Sequence, residues 1–244
     1  MPEQDAKIRL FVDAPLGQGA AVPLTRDQAH YLVSVMRQGV GAPVKLFNGR
    51  DGEWLAELAE AGKRNALAVC RAALRPQVAA PDLWLLFAPV KRTRTDFIVE
   101  KAVELGVSRL QPVFTRRTAS ERIRTDRMQT NAREAAEQSE RLDIPEAMDG
   151  APLALVLDAL GDRRVMFCDE RGGARPAAEA LRAAGPGPWA VLIGPEGGFA
   201  PEEAEMLCAR PGTVPVSLGP RILRADTAAV SALTIWQSTL GDWA

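Results

Sequence analysis

Two different rhythms of apolar and polar positions divide the chain. Up to about residue 72 the apolar residues come in short, partly alternating runs: "IRLFV" (Ile8 to Val12), "PVKLFNG" (Pro43 to Gly49), "GEWLAEL" (Gly52 to Leu58) and "NALAVCRA" (Asn65 to Ala72). Turn signals such as Asn48-Gly49 and Asp51-Gly52 separate them, and this combination predicts strands joined by hairpins. One helical stretch intervenes, "TRDQAHYLVSVMR", where Thr25 is suited to cap the first turn and Ala29, Leu32, Val33 and Met36 form one apolar stripe. A small barrel or curled sheet of 1–73 is predicted.

Beyond a break at "RAALRPQVAAPDL" (Arg71 to Leu83), strands and helices alternate. "LWLLFAPV", "RLQPVFT", "RVMFCDE", "WAVLIGPEGG" and "TVPVSLG" predict strands. "TDFIVEKAVELG", "RMQTNAREAAEQSERL" and "PEEAEMLC" predict helices, the first stopped by Gly106 and the last opened by Pro201. A final helix has Ala229, Leu233, Trp236 and Leu240 at helical spacing. Residues 74–244 therefore predict an α/β domain with a largely parallel sheet. Ligands in such sheets bind beyond the carboxyl ends of the strands. Two loops leave strands there: the glycine loop "IGPEGGF", containing Ile193, Gly194, Pro195, Glu196, Gly197 and Gly198, and "LGPRILRADTA", containing Leu218, Gly219, Arg221, Ile222, Leu223, Arg224 and Asp226.

The glycine loop lacks the spacing of a dinucleotide or P-loop signature. Its glycines either make a tight strand-to-helix turn or remove side chains where a ligand approaches the backbone. Arg221, Arg224 and Asp226 likewise either cap and cross-link the last helix or line a cleft.

Composition narrows the field further. With 47% hydrophobic residues over 244, the chain has ample core. No run is long enough to span a bilayer, and "MPEQDAKIRLF" does not resemble a secretory signal, so a cytoplasmic protein without membrane attachment is expected. Three dispersed cysteines and one histidine argue against a disulfide scaffold or a Cys/His zinc site, and no metal is expected. The net charge of -1 does not itself point to nucleic acid, yet Lys91 to Arg127 holds ten Lys/Arg against five acids. That segment, with Arg92, Arg94, Arg116, Arg117, Arg122 and Arg124, is either a solvated surface or a phosphate-contact region. Arg9, beside an apolar strand, is a candidate RNA or dimer contact.

Taken together, "IGPEGGF...EE", "LGPRILRADTA", "EAAEQSER...IP" (Glu134 to Pro145), "HYLVSVMR" (His30 to Arg37) and "EKAVELGVSRLQPVFTRRT" (Glu100 to Thr118) resemble the RsmE family. These are bacterial methyltransferases of the SPOUT superfamily that methylate N3 of a uridine in small-subunit ribosomal RNA. The resemblance covers nearly the whole chain. It implies a PUA-like β-barrel for RNA contact, then a SPOUT-type α/β fold with a deep trefoil knot, and a homodimer. It also implies S-adenosylmethionine held by the glycine loop and by backbone near Leu218, Gly219, Ile222 and Leu223, with 16S ribosomal RNA in the small subunit as substrate. Arg221, Arg224 and Asp226 become the catalytic candidates. The chain departs from the family at Asp226, where glutamate is usual, and at Val103, where threonine is usual. Readings that remain open are a SPOUT enzyme acting on another RNA and a non-catalytic RNA-binding or ribosome-assembly protein.

Overall fold

The computed structural model describes residues 6–119 and 122–244; the start of the amino-terminal stretch read for a signal and Glu121 of the basic segment lie outside the described residues. The chain forms two compact units. One runs to Ala79 and takes back Ala136–Ile144, and the other comprises Ala80–Ala135 and Pro145–Ala244.

The first unit contains β1 (Arg9–Phe11), β2 (Ala21–Leu24), α1 (Arg26–His30), β3 (Pro43–Phe47), β4 (Glu53–Ala61) and β5 (Ala66–Arg75). Its strands follow the order β1-β3-β4-β5-β2, antiparallel except for β1 beside β3. Alternation turns Leu10, Val22, Val44, Leu46, Leu58 and Ala68 inward to one core. β5 runs past residue 73 because Ala72, Ala73 and Arg75 still pair with β4, although alanines and a following proline disguise it as linker.

Thr25 caps α1 as its type predicts. Its Oγ1 accepts from Gln28 N (3.3 Å), while Gln28 Oε1 accepts from Thr25 N (3.0 Å). The helix then widens into a π-helical turn, Tyr31–Val35, in which Met36 N donates to Tyr31 O at 2.9 Å. The additional residue in that turn breaks the 3.6-residue stripe. Ala29 and Leu32 are fully buried, but Met36, expected beside them, is 38% exposed.

Arg9 corrects a second expectation. It is not at an RNA or dimer surface but buried, its guanidinium 4.4 Å from the centre of the Phe47 ring. Its Nε donates to Glu53 Oε1 at 2.6 Å, and its remaining nitrogens donate to the carbonyls of Ala136, Glu137 and Arg141 at 2.9, 3.1 and 2.9 Å. Arg75 completes the carboxylate with bonds of 2.9 and 3.0 Å. Every good donor of Arg9 is thus engaged inside this unit. Burial pushes the Glu53 carboxyl up, yet the hydrogen bonds from Arg75 and Arg9 outweigh it and hold the group below its ordinary value.

In the second unit the elements run β6 (Leu83–Phe87), α2 (Arg92–Glu104), β7 (Arg109–Phe114), α3 (Thr125–Gln138, its last turn counted with the first unit), β8 (Glu146–Ala147), β9 (Ala151–Pro152) and α4 (Leu153–Ala159). They continue with β10 (Arg164–Cys168), β11 (Arg175–Pro176), α5 (Ala177–Ala184), β12 (Trp189–Ile193), α6 (Pro201–Ala209), β13 (Thr213–Ser217) and α7 (Ala225–Leu240). The short strands β8, β9 and β11 and the helices α4 and α5 have no counterpart in the sequence reading, because two-residue strands and helices of seven and eight residues are too short to establish a period. The sheet order is β11-β13-β10-β12-β6-β7-β8, with β9 also on β7, and all these pairings are parallel.

Covered on both faces, β12 is buried at every residue, as a central parallel strand should be. α7 packs on α2, α5 and β12. Its Ala229, Leu233 and Trp236 are buried, so the stripe belongs to this unit's own core. Gln237, also fully buried, donates to the Leu105 carbonyl at the end of α2 (2.6 Å), where Gly106 turns the chain with φ of 77°. Because β13, β10 and β12 are neighbours running the same way, the loops after Ser217, Cys168 and Ile193 emerge side by side.

Candidate active site

Those three loops enclose one cavity of about 540 Å³. That volume suits a ligand of cofactor size. The β12 loop contributes Ile193, Gly194, Pro195, Glu196 and Phe199, and the segment from β13 into α7 contributes Leu218, Gly219, Arg221, Ile222, Leu223 and Arg224. The two loops nominated from the sequence therefore do share a site. The third wall, Cys168, Asp169, Glu170 and Gly172 after β10, was missed. Its signal was strand order: β10 lies between β12 and β13, so its loop must lie between theirs.

Small residues shape the glycine loop. A Cβ on Gly194 would stand 2.6 Å from the Phe199 ring, which packs edge-on against Phe167 with centroids 5.3 Å apart. Gly198 turns the chain with φ of 68°, its N donating to Pro195 O at 2.9 Å. A Cβ there would overlap Glu170 Oε1. Gly197 and Gly198, expected as direct cofactor contacts, form the turn that presents the stretch from Gly194 to Glu196 to the cavity. Arg117 braces that turn by donating to Gly197 O at 2.8 Å. The carboxylate of Glu203 braces the other end, accepting from Ala200 N and Arg116 N, both at 2.9 Å.

Charges of both signs face the cavity. Arg94, expected among phosphate contacts, is a wall residue instead: its guanidinium pairs with Glu196 and lies 3.8 Å from Asp226. It links the starts of α2 and α7 to the glycine loop. Asp226 is not in the wall. Its Oδ1 accepts from Thr227 N at 2.8 Å in the first turn of α7, where a carboxylate complements the helix dipole, and its Oδ2 lies 3.8 Å from Arg94 Nε. Arg221 and Arg224 are exposed wall residues, and among the described residues neither forms an ion pair. Arg224 begins α7 through its backbone, whose carbonyl accepts from Ala228 N at 2.8 Å, while its side chain takes no part in the cap. Of the three residues singled out in the sequence, Asp226 thus sits in the first turn of the helix and the two arginines in the cavity wall.

The acids of the β10 loop differ from one another. Hydrogen bonds from Arg171 hold Asp169 below the ordinary carboxylate range, keeping it ionised at neutral pH. Burial pushes the Cys168 thiol up to about 12, which leaves it protonated and a poor nucleophile. Outside the cavity, Arg92 and Arg122 are exposed, Arg116 pairs with Glu202 at 3.3 Å, and Arg124 holds Asp126 with Nε at 3.2 Å. Val103 is buried in α2.

Residues 78–237 match a family described as an RNA methyltransferase domain, and residues 24–69 an RNA methyltransferase PUA domain. The ribosomal RNA small subunit methyltransferase E of Synechocystis is 33% identical, over 88% of this chain and 72% of that protein. The protein of the same name from Rickettsia conorii is 28% identical, over 92% and 93%. The crystal structure of a ribosomal RNA small subunit methyltransferase E from Neisseria gonorrhoeae bound to S-adenosyl methionine superposes with a TM-score of 0.88 at 26% identity, covering 97% of this chain and 99% of that one.

Proposed function

Since the chain belongs to the RsmE family of RNA methyltransferases, a SPOUT-type α/β fold preceded by a PUA-like domain, we propose that it uses S-adenosylmethionine to methylate 16S ribosomal RNA, at N3 of uridine 1498, in the small subunit. One observation carries this reading: the cavity of the β10, β12 and β13 loops combines apolar walls with carboxylates and guanidiniums. A ligand bearing a sulfonium, an ammonium, a carboxylate and a flat base needs that mixture. Asp169 and Glu170 complement its cationic groups, Ile193, Leu218, Leu223 and Phe199 offer apolar surface to the base, and Gly194 leaves room for it. The bound cofactor supplies an electrophilic methyl group.

The protein's own residues do the rest. Uracil N3 gives up its proton to water at the open cavity before it bonds to carbon, leaving negative charge shared with O2 and O4 until that bond is made. Arg221 and Arg224 place positive charge at the cavity and stabilise that anionic character. Arg94, fixed by Glu196 and Asp226, sets the relative positions of the walls. Arg92, Arg116, Arg117, Arg122 and Arg124 hold phosphates and set the register of the RNA without choosing a base. The reaction belongs to the cytoplasm, where subunits are assembled, and among the described residues no helix is long and apolar enough to cross a membrane. The active form is a homodimer, with the partner covering Ile222, 83% exposed at the cavity; sedimentation should give twice the mass of one chain, and a fully active monomer would contradict this.

Incubation with methyl-labelled S-adenosylmethionine and small subunits, followed by mass spectrometry of the RNA, tests the function. Label at N3 of that uridine is expected, whereas label confined to another RNA would reassign the substrate. The cofactor site has its own test in Gly194→Val. The new side chain drives Phe199 toward the cavity, and overpacking of about 1–3 kcal/mol corresponds to roughly 5- to 150-fold weaker binding by calorimetry. Unchanged affinity in a folded variant would move the cofactor elsewhere.

A further inference from the structure

The first unit has a polar cleft of its own, about 560 Å³, lined by Arg26, Asp27, His30, Ser34, Lys63 and Arg64. The first three belong to α1, Ser34 to the π-helical turn, and the last two to the turn joining β4 and β5. Three permanent cations face one carboxylate, so the cleft is positive even with His30 neutral. Arg26, Lys63 and Arg64 are exposed, and among the described residues none forms an ion pair. Two other exposed arginines are neutralised in place, Arg71 by Glu57 at 2.9 Å and Arg171 by Asp169 at 2.8 Å.

Next to His30, the chain's single tyrosine, Tyr31, is 37% exposed, and Val35 and Met36 are 57% and 38% exposed at the end of the same turn. Apolar surface alone would suit a protein partner. Joined to unneutralised cations, an aromatic ring suits single-stranded nucleic acid, with guanidiniums on phosphates and a base stacked on the ring. The π-helical turn is what exposes this surface, since its extra residue carries Met36 out of the buried stripe. Such turns often occur at functional sites.

We propose that this face of the barrel holds a single-stranded RNA segment flanking the target, its phosphates in the Arg26, Lys63 and Arg64 cleft and a base on Tyr31. The inference rests on the RNA methyltransferase reading. It also supplies the contact with RNA that buried Arg9 does not make.

The test uses the full chain, small ribosomal subunits and filter binding across a salt series. The triple variant Arg26→Ala, Lys63→Ala, Arg64→Ala should bind at least about tenfold more weakly at low salt. Its slope of log affinity against log salt should fall by about 2, the loss expected for three phosphate contacts to a single strand. Tyr31→Ala should weaken binding by about fivefold or more with the slope unchanged. Single-turnover methyl transfer at saturating subunits should match wild type in both. An unchanged slope in a triple variant that melts like wild type overturns the proposal, as does a lower saturating rate with the slope intact. Wild-type binding by Tyr31→Ala removes the base from the ring. Should the wild-type chain bind with its full slope, and the triple variant lose it, while neither transfers methyl, the enzymatic reading fails and the docking face stands.

Discussion

Replacing Arg9 with alanine should lower the unfolding free energy by about 3–5 kcal/mol, the usual cost of removing one partner from a buried, hydrogen-bonded ion pair. The arginine and Glu53 side chains are only 5% and 3% exposed, so solvent screens the interaction little. The variant leaves Glu53 with Arg75 alone and deprives the carbonyls of Ala136, Glu137 and Arg141 of a shared donor. Arg9→Lys keeps a charge near Glu53 but cannot reproduce the fork, and should lose about 1–2 kcal/mol. The direction with pH also follows. A carboxyl held below its ordinary value in the folded chain adds stability that is present above the unfolded value and disappears as pH falls through the folded one. Without Arg9, burial opposes only Arg75, so acid unfolding should begin at higher pH. Urea titrations at several pH values measure both effects, and a variant as stable as wild type at every pH would show the cluster to be incidental.

Arg224→Ala should slow single-turnover methyl transfer by about 10²–10³-fold, the range for removing one preorganised group that stabilises developing charge. RNA affinity should change by less than about threefold, because one phosphate contact at most is altered. The Arg224 side chain does not cap α7, whose first turn keeps its backbone bond to Ala228, so the helix should remain formed. The paired change Arg122→Ala and Arg124→Ala should do the opposite, weakening binding and reducing its salt dependence with little effect on the saturating rate. The Arg124 bond to Asp126 is exposed and contributes little to stability. If the two variants exchange these behaviours, the chemical and positioning roles have been assigned the wrong way round.

Local pattern carried the reading of the chain where the determining interactions are local. Capping by Thr25, the start of α6 at Pro201, the stop at Gly106 and the continuous apolarity of β12 are properties of a few adjacent residues. The pairing of the β12 and β13 loops was legible too, because both leave apolar strands at their carboxyl ends. What stayed hidden depends on distant parts of the chain. Arg9 looked like a surface cation because its carbonyl partners lie more than 120 residues later. The Asp169 and Glu170 wall was overlooked because no local signal states that β10 runs between the other two strands. Arg94 was placed with the phosphate contacts for the same reason: its carboxylates come from α7 and the glycine loop. The π-helical turn escaped notice because its residues fit an ordinary helix equally well.

The return of Ala136–Ile144 to the first unit has a consequence for biosynthesis. A chain emerging from the ribosome completes β5 at Arg75, yet the carbonyls that saturate Arg9 are about 70 residues behind. At about 5–20 residues per second the nascent barrel waits roughly 3–14 s for them. During that interval its most buried cation is matched by Glu53 but not by its remaining acceptors, and the strands exist without the segment that closes over them. The amino-terminal unit is therefore first in sequence, yet it is finished only after much of the following unit has been made. Its completion falls within translation of the unit that follows, so the pace at which that later sequence is made sets when the barrel can close.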